Sequence, residues 1–290
     1  KENVVNLTRK NDVYNIVGKS FNANSFVEKL LESEDKKSNL FKNDFDLNLD
    51  VDKIYLDQKS FLNDLKGNLN IVNNQVKNAN INSLFQDYKR FDFSIRTENN
   101  QKITTLFSEQ AEPLVQRYKF IKGYEDGNLD FYSIKKEDKS KSTLKLFDFK
   151  LQELPALTKL LTLASLQGIA DTLTGEGIRF SELEMNFTNE GSLMTIDELY
   201  AIGPAISILM SGYVEKNKLV SLRGTLVPAT TINKTIGSIP ILGKILVGSK
   251  VGEGVFGVSF KIKGPPNKLE TTVNPVKTLT PRFITRTLEK

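Results

Sequence analysis

The chain has 290 residues, 39% hydrophobic and 26% charged, with 40 Lys and Arg against 35 Asp and Glu for a net charge of +5. That is enough apolar material for a large core, and too dilute a basic excess for a nucleic-acid binder. There is no Cys, His or Trp, which removes disulfides, thiolate chemistry, the usual neutral-pH base and most transition-metal ligands.

The first 100 residues hold 19 of the 26 asparagines, interspersed with Lys and Asp, a composition that suits solvated surface. Phe26–Leu31 reads as a short helical piece and Glu32–Asn39 as a polar break. Phe45, Leu47, Leu49 and Val51 then alternate with Asp46, Asn48 and Asp50, the period-two pattern of a half-buried strand. The pattern returns at Leu69 and Ile71, at Phe91, Phe93 and Ile95, and at Leu129 and Phe131. The stretch "KKEDKSKS" at Lys135–Ser142 reads as an exposed turn. Leu144, Leu146, Phe149 and Leu151 follow with a slip in the alternation.

From about Leu151 the chain becomes richer in Leu, Ile, Gly and Thr. We therefore expect a β-meander segment over 1–150 and a second segment with apolar helices over 151–290. Pro155–Leu173 has apolar residues at helical spacing and is closed by "TGEG". Strand patterns resume at Leu183, Met185 and Phe187, at Ile206 and Ile208, across Leu222–Leu226, and at Val258, Phe260 and Ile262. Thr230–Ser249 reads as short apolar helical pieces broken by Gly237, Pro240, Gly243 and Gly248. Turns are expected at Asp64–Gly67 and at 125–128, 189–192, 215–218 and 264–267. A weak internal echo at an offset of 118 aligns Leu65, Leu69, Val76 and Ile81 with Leu183, Phe187, Met194 and Leu199.

No motif carries chemistry. "GSIPILGKI" at Gly237–Ile245 has five residues between its glycines where a phosphate loop needs four, and Ile245 where it needs Ser or Thr. "GEGIRF" and "GEGVFG" lack the strand-then-helix setting of a dinucleotide fold and read as a helix-ending turn and a bulge before a strand. Asp46, Asp50 and Asp52 fall on the outer side of a strand whose other side is apolar. Glu182 and Glu184 flank Leu183 in the same way. The Asn-x-Ser/Thr triplets at Asn6, Asn186 and Asn233 are read as incidental. We therefore expect no catalytic residue, no cofactor, no metal and no enzymatic activity.

The informative features are apolar. The expected fold is mainly β: an extended, twisted antiparallel sheet curled into an open apolar groove, with a few short helices near the C-terminal end. The helical segments have wider apolar arcs than a surface helix needs, so they either pack on the sheet or serve a bilayer or partner.

The order Leu-rich helix, "GEGIRF", β-meander with "GP" at 203–204, then "IPILGK", "GVFGVSFKIKGP" and "NP" resembles the AsmA-like C-terminal region of YhdP-type bacterial envelope proteins. The likeness covers about residues 120–285, and 1–120 match only as a generic meander. The resemblance implies a periplasmic location in a Gram-negative bacterium, with anchorage to the inner membrane by an N-terminal helix outside this chain. It further implies a bridge-like lipid-transfer architecture whose partners are phospholipids, the membrane surface and other envelope proteins. From the missing anchor and the short length the chain is read as the C-terminal portion of such a protein. The lipid-facing candidates are Leu47, Leu49, Val51, Leu69, Ile71, Phe91, Phe93, Leu144, Leu146, Leu183, Phe187, Ile206, Ile208, Val258, Phe260 and Ile262. The membrane-contact candidates are Ile236, Ile239, Ile241, Leu242, Ile245 and Leu246. The alternative is a non-catalytic structural or assembly factor of the cell envelope.

Overall fold

The structure, a computed structural model, describes residues 2–24, 43–73, 75–116, 123–152, 155–164, 166–228, 257–266 and 268–276. It divides into two compact units, Lys1–Phe147 and Asp148–Lys290. The protein is mainly β, and consecutive strands are hydrogen-bonded neighbours in the order in which they occur along the chain.

The first unit holds β1 (Val4–Lys10), β2 (Val13–Asn22), β3 (Phe45–Tyr55), β4 (Phe61–Val72), β5 (Gln75–Phe85), β6 (Arg90–Glu98), β7 (Gln101–Ser108) and β8 (Tyr124–Lys136). The single turn α1 (Glu112–Val115) packs beside β8, and β9 (Lys139–Leu151) carries the chain into the second unit. That unit continues with α2 (Pro155–Leu163), α3 (Gln167–Thr174), β10 (Ile178–Glu190), β11 (Leu193–Ile202), β12 (Ile206–Glu215), β13 (Leu219–Pro228), β14 (Gly257–Gly264) and β15 (Glu270–Val276).

One pairing departs from the expected antiparallel meander: β2 and β3 run parallel. A parallel pair needs a crossover too long for a hairpin, and the connection over residues 23–44 supplies the length. Every other pair with a defined register is antiparallel. Asparagine makes several of the turns possible. Asn11, Asn73, Asn99, Asn100 and Asn217 all have positive φ, a region that Asn enters more easily than most residues. The adjacent Asn99 and Asn100, at 49° and 59°, match the two positive-φ positions of a tight hairpin turn.

Two of the predicted turns are instead bulges inside long strands. Asp64 (φ 52°) lies within β4, and Asp126 and Gly127 (φ 64° and 84°) lie within β8. A positive-φ residue can reverse a chain or insert one extra residue into a ladder, and local composition does not separate the two. The register of β4 against β5 shifts between Asn63 and Lys66, so Leu62 and Leu65 are both buried. Asp148 (φ 52°) does the same in β9, which accounts for the slip between Leu146 and Phe149.

A buried cluster of Val51, Ile54, Leu56, Leu62, Leu65, Phe85 and Ala23 closes one end of the first unit. In the second unit the Pro155–Leu173 segment is two helices. Leu166, at φ −105° and ψ 47°, breaks the helical run before α3. Leu157, Leu160 and Leu161 of α2 and Ala170 and Leu173 of α3 are buried, and α2 packs on both α3 and β15. The wide apolar arcs of these helices therefore face protein. Phe149 and Phe180 stack with ring centroids 5.4 Å apart.

The burial contrast within α2 gives a direct check. Leu161→Ala, at a fully buried position, should cost about 2–5 kcal/mol of unfolding free energy. Leu163→Ala, at a position 49% exposed, should stay within about 0.5 kcal/mol. Urea unfolding of the two variants measures both values.

Candidate functional site

Cross-strand register places the lipid-facing candidates of each unit on one face. In the first unit Ile16 pairs with Leu49, Leu49 with Gly67, Gly67 with Ile81, Ile81 with Phe93, Phe93 with Leu106 and Leu106 with Phe131. Side chains alternate faces along each strand, so parallel rows flank this one. One contains Tyr14, Leu47, Leu69, Ala79, Ile95 and Thr104; the other contains Val51, Leu65, Ser83, Phe91, Ser108 and Leu129. Ile71, opposite Phe45, lies on the same face. The Ser142 hydroxyl donates to the Ser133 hydroxyl at 2.8 Å, which brings Leu144 and Leu146 of β9 to this side.

The second unit repeats the arrangement. Leu183, Ala201, Ile208, Leu226 and Val258 form one row across β10–β14. Met185, Leu199, Met210, Gly224 and Phe260 form the next, and Phe187, Ile196, Gly212, Leu222 and Ile262 the third. Ile206, opposite Pro228, extends the face by one position. Gly224 is required beneath Phe260: a Cβ there would stand 2.6 Å from the ring and 2.3 Å from the Leu209 carbonyl oxygen. The echo at an offset of 118 is visible in the register, since Gly67 opposite Ile81 and Met185 opposite Leu199 occupy equivalent positions of their hairpins.

The candidates divide by burial. Val51, Ile71, Leu146, Ile206, Val258, Phe260 and Ile262 are buried by the protein itself, so no ligand can reach them. Leu47, Leu49, Leu69, Phe91, Phe93, Leu144, Leu183, Phe187 and Ile208 are half-buried and carry the apolar surface that remains. Ile236, Ile239, Ile241, Leu242, Ile245 and Leu246 lie outside the described residues, as do Phe26–Leu31, Glu32–Asn39 and "GSIPILGKI".

The opposite face of the first unit is largely polar and internally hydrogen-bonded over β2–β6, whereas on β7 and β8 it carries Ile103, Phe107, Tyr132 and Ile134. Asn48 Nδ2 donates to Asn15 Oδ1 at 3.0 Å, Asn70 to Asp46 at 2.8 Å and Asn82 to Asp92 at 2.7 Å. The asparagine bias is thus in part an amide ladder on the outer side of the sheet. On the outer face of the second unit the Tyr200 hydroxyl donates to Glu184 at 3.0 Å and lies 3.3 Å from Glu182. Burial, and then that hydrogen bond, hold its ionisation well above the ordinary phenol range. Register makes this contact, because Glu184 is directly opposite Tyr200.

A row that periodicity did not single out lies at the rim of the first apolar face. Lys102 is opposite both Thr97 and Lys135, and the Thr97 hydroxyl donates to the carbonyl of Lys77. The rows of Phe93, Leu106 and Phe131 have the same parity as Thr97, Lys102 and Lys135, so these lysines edge the apolar side. None of the three has a carboxylate partner among the described residues. Glu98 pairs with Arg96 at 3.6 Å on the other face. Burial, and then the charges of Lys135 and Lys77, hold the Lys102 ammonium below the usual lysine range.

Among the described residues no helix is long and apolar enough to cross a membrane, and no group of three or more acidic residues is placed to hold a metal ion. No protein-family model, characterised protein or solved structure matches the chain.

A depressed lysine means that the unfolded chain binds more protons than the folded one, so stability rises with pH through that range. Lys102→Gln should therefore be more stable than the native chain near neutral pH. The gap should narrow as pH rises through the range, below that of an ordinary lysine, in which the native Lys102 loses its proton. Urea unfolding of both chains across that range tests the sign.

Proposed function

We propose that this chain is a non-catalytic lipid-shielding segment of a bacterial envelope protein. Each apolar sheet face would take phospholipid acyl chains out of water in the periplasm, between the inner and outer membranes, while headgroups remain at the rim. The observation that carries this reading is that Leu49, Phe93, Leu144, Leu183 and Ile208 stay half-buried in the middle of extended apolar faces. In a filled sandwich such central positions would be covered by an opposing layer. The periplasmic location in this proposal rests on the sequence resemblance of residues 120–285 to AsmA-like C-terminal regions.

The mechanism is passive. Exposing an acyl chain costs about 0.8 kcal/mol per CH₂, and an apolar face that replaces the bilayer interior removes most of that barrier. The half-buried leucines and phenylalanines solvate the chain, and no bond is made or broken. The competing reading is a structural factor of the envelope. It has in its favour the buried cluster around Leu62 and Phe85 and the packing of α2 on β15.

Mass spectrometry of the purified chain should find retained phospholipid. Leu49→Asp and Ile208→Asp should each reduce retention about tenfold, equivalent to about 1.4 kcal/mol, with the β signal in circular dichroism preserved. Val51→Asp, at a position 1% exposed, should instead unfold the chain by burying a charge. Undiminished retention in well-folded Leu49→Asp and Ile208→Asp variants would favour the structural reading.

A further inference from the structure

We infer that the Lys77, Lys102 and Lys135 row is a headgroup site that selects anionic, phosphate-bearing lipids at the rim of the first unit's apolar face. This inference rests on the lipid-shielding reading and specifies its substrate class.

The argument begins with a cost. Like charges directly opposite on neighbouring strands destabilise a sheet, and Lys102 faces Lys135 in that way. Lys77 is the cross-strand neighbour on the far side of Thr97. The three lysines therefore stand in one row spanning about 15 Å, given strands about 4.8 Å apart, and no carboxylate among the described residues pairs with them. Lys102 is also half-buried, so its charge is partly stripped of water without compensation. An anion bound above Thr97, with the threonine hydroxyl committed to the Lys77 carbonyl below, would relieve both penalties.

The surroundings identify the anion as the head of an amphiphile. From the lysine row the next row inward on the same face is Leu69, Ala79, Ile95, Thr104 and Ser133, then Ile81, Phe93, Leu106 and Phe131, then Leu65, Ser83, Phe91, Ser108 and Leu129. Alternate residues on a strand are about 6.8 Å apart, so the apolar face extends about 20 Å inward from the charged rim, comparable with an extended acyl chain. At its far end the buried cluster around Val51 and Phe85 stops it. A free inorganic anion would have no use for that surface, and an uncharged lipid would leave the lysines unpaired.

The test uses the full chain and isothermal titration with three probes: short-chain phosphatidylglycerol below its micelle concentration, octyl glucoside as an uncharged amphiphile, and inorganic phosphate. The native chain should prefer phosphatidylglycerol over octyl glucoside by about tenfold or more. The Lys77→Gln, Lys102→Gln, Lys135→Gln triple variant should lose that preference without a lower melting temperature, and the corresponding triple Arg variant should keep it. A preference that survives in the Gln variant would overturn the inference. So would phosphate alone binding as tightly as phosphatidylglycerol, which would make this an anion site without lipid. Equal binding of both amphiphiles by the native chain would remove the headgroup site and leave the shielding reading intact. Failure to bind either amphiphile would remove both.

Discussion

The structure depends on the two-residue alternation of the β pleat, held in step from one strand to the next by hydrogen-bonded register. A slip of one residue in any pair would exchange its faces and interrupt the rows that run through Leu49, Ile81, Phe93 and Phe131. The register is pinned by turns whose Asn residues accept positive φ, by bulges at Asp64 and Asp148, and by close approaches such as Phe260 over Gly224. Each device is local, yet together they align apolar side chains contributed by strands far apart in sequence.

The same alternation sets the chemistry of the two sides. Amide and carboxylate groups opposite one another on the outer face of the first unit satisfy each other, as with Asn48 and Asn15 or Asn82 and Asp92. The inner face offers nothing polar in its central rows beyond small hydroxyls such as Ser83, Ser108 and Thr104. Among the described residues polarity returns on that side at the Lys102 row and at Arg9, which lies opposite Tyr14 with its guanidinium 5.2 Å from that ring's centroid. A face that is apolar in the middle and cationic at one margin has the order of environments found along a phospholipid molecule.

Much of this could be read from the sequence, because period-two alternation is a direct projection of the pleat. The strands around Leu49, Phe93, Leu183, Ile208 and Phe260 were legible for that reason, and so was the shared face of the residues they carry. What sequence could not give was whatever depends on which strand lies beside which. Asp64–Gly67 has the composition of a turn and forms a bulge, since only the partner strand decides between them. The parallel β2–β3 pair and the break in helix at Leu166 have no periodic signature. Val51, Ile71 and Phe260 look no different in pattern from Leu49 or Phe93, but their neighbours bury them. Lys77, Lys102 and Lys135 are spread over 59 positions of a lysine-rich chain, and only register makes them a row.

The identity between strand order and chain order has a consequence for how the molecule assembles. Nearly every strand pairs with the one just synthesised, so loop-closure entropy is small at each step and the contacts are short in sequence. The sheet can therefore lengthen by accretion, one hairpin at a time, with each new strand templated on the edge left by its predecessor. Among the described elements the exceptions are the connections of more than 20 residues, over 23–44, 152–177 and 229–256, and the return of β15 to α2. These are the steps expected to be slow. The return of β15 is also the last of them, because it must wait until that strand is in place.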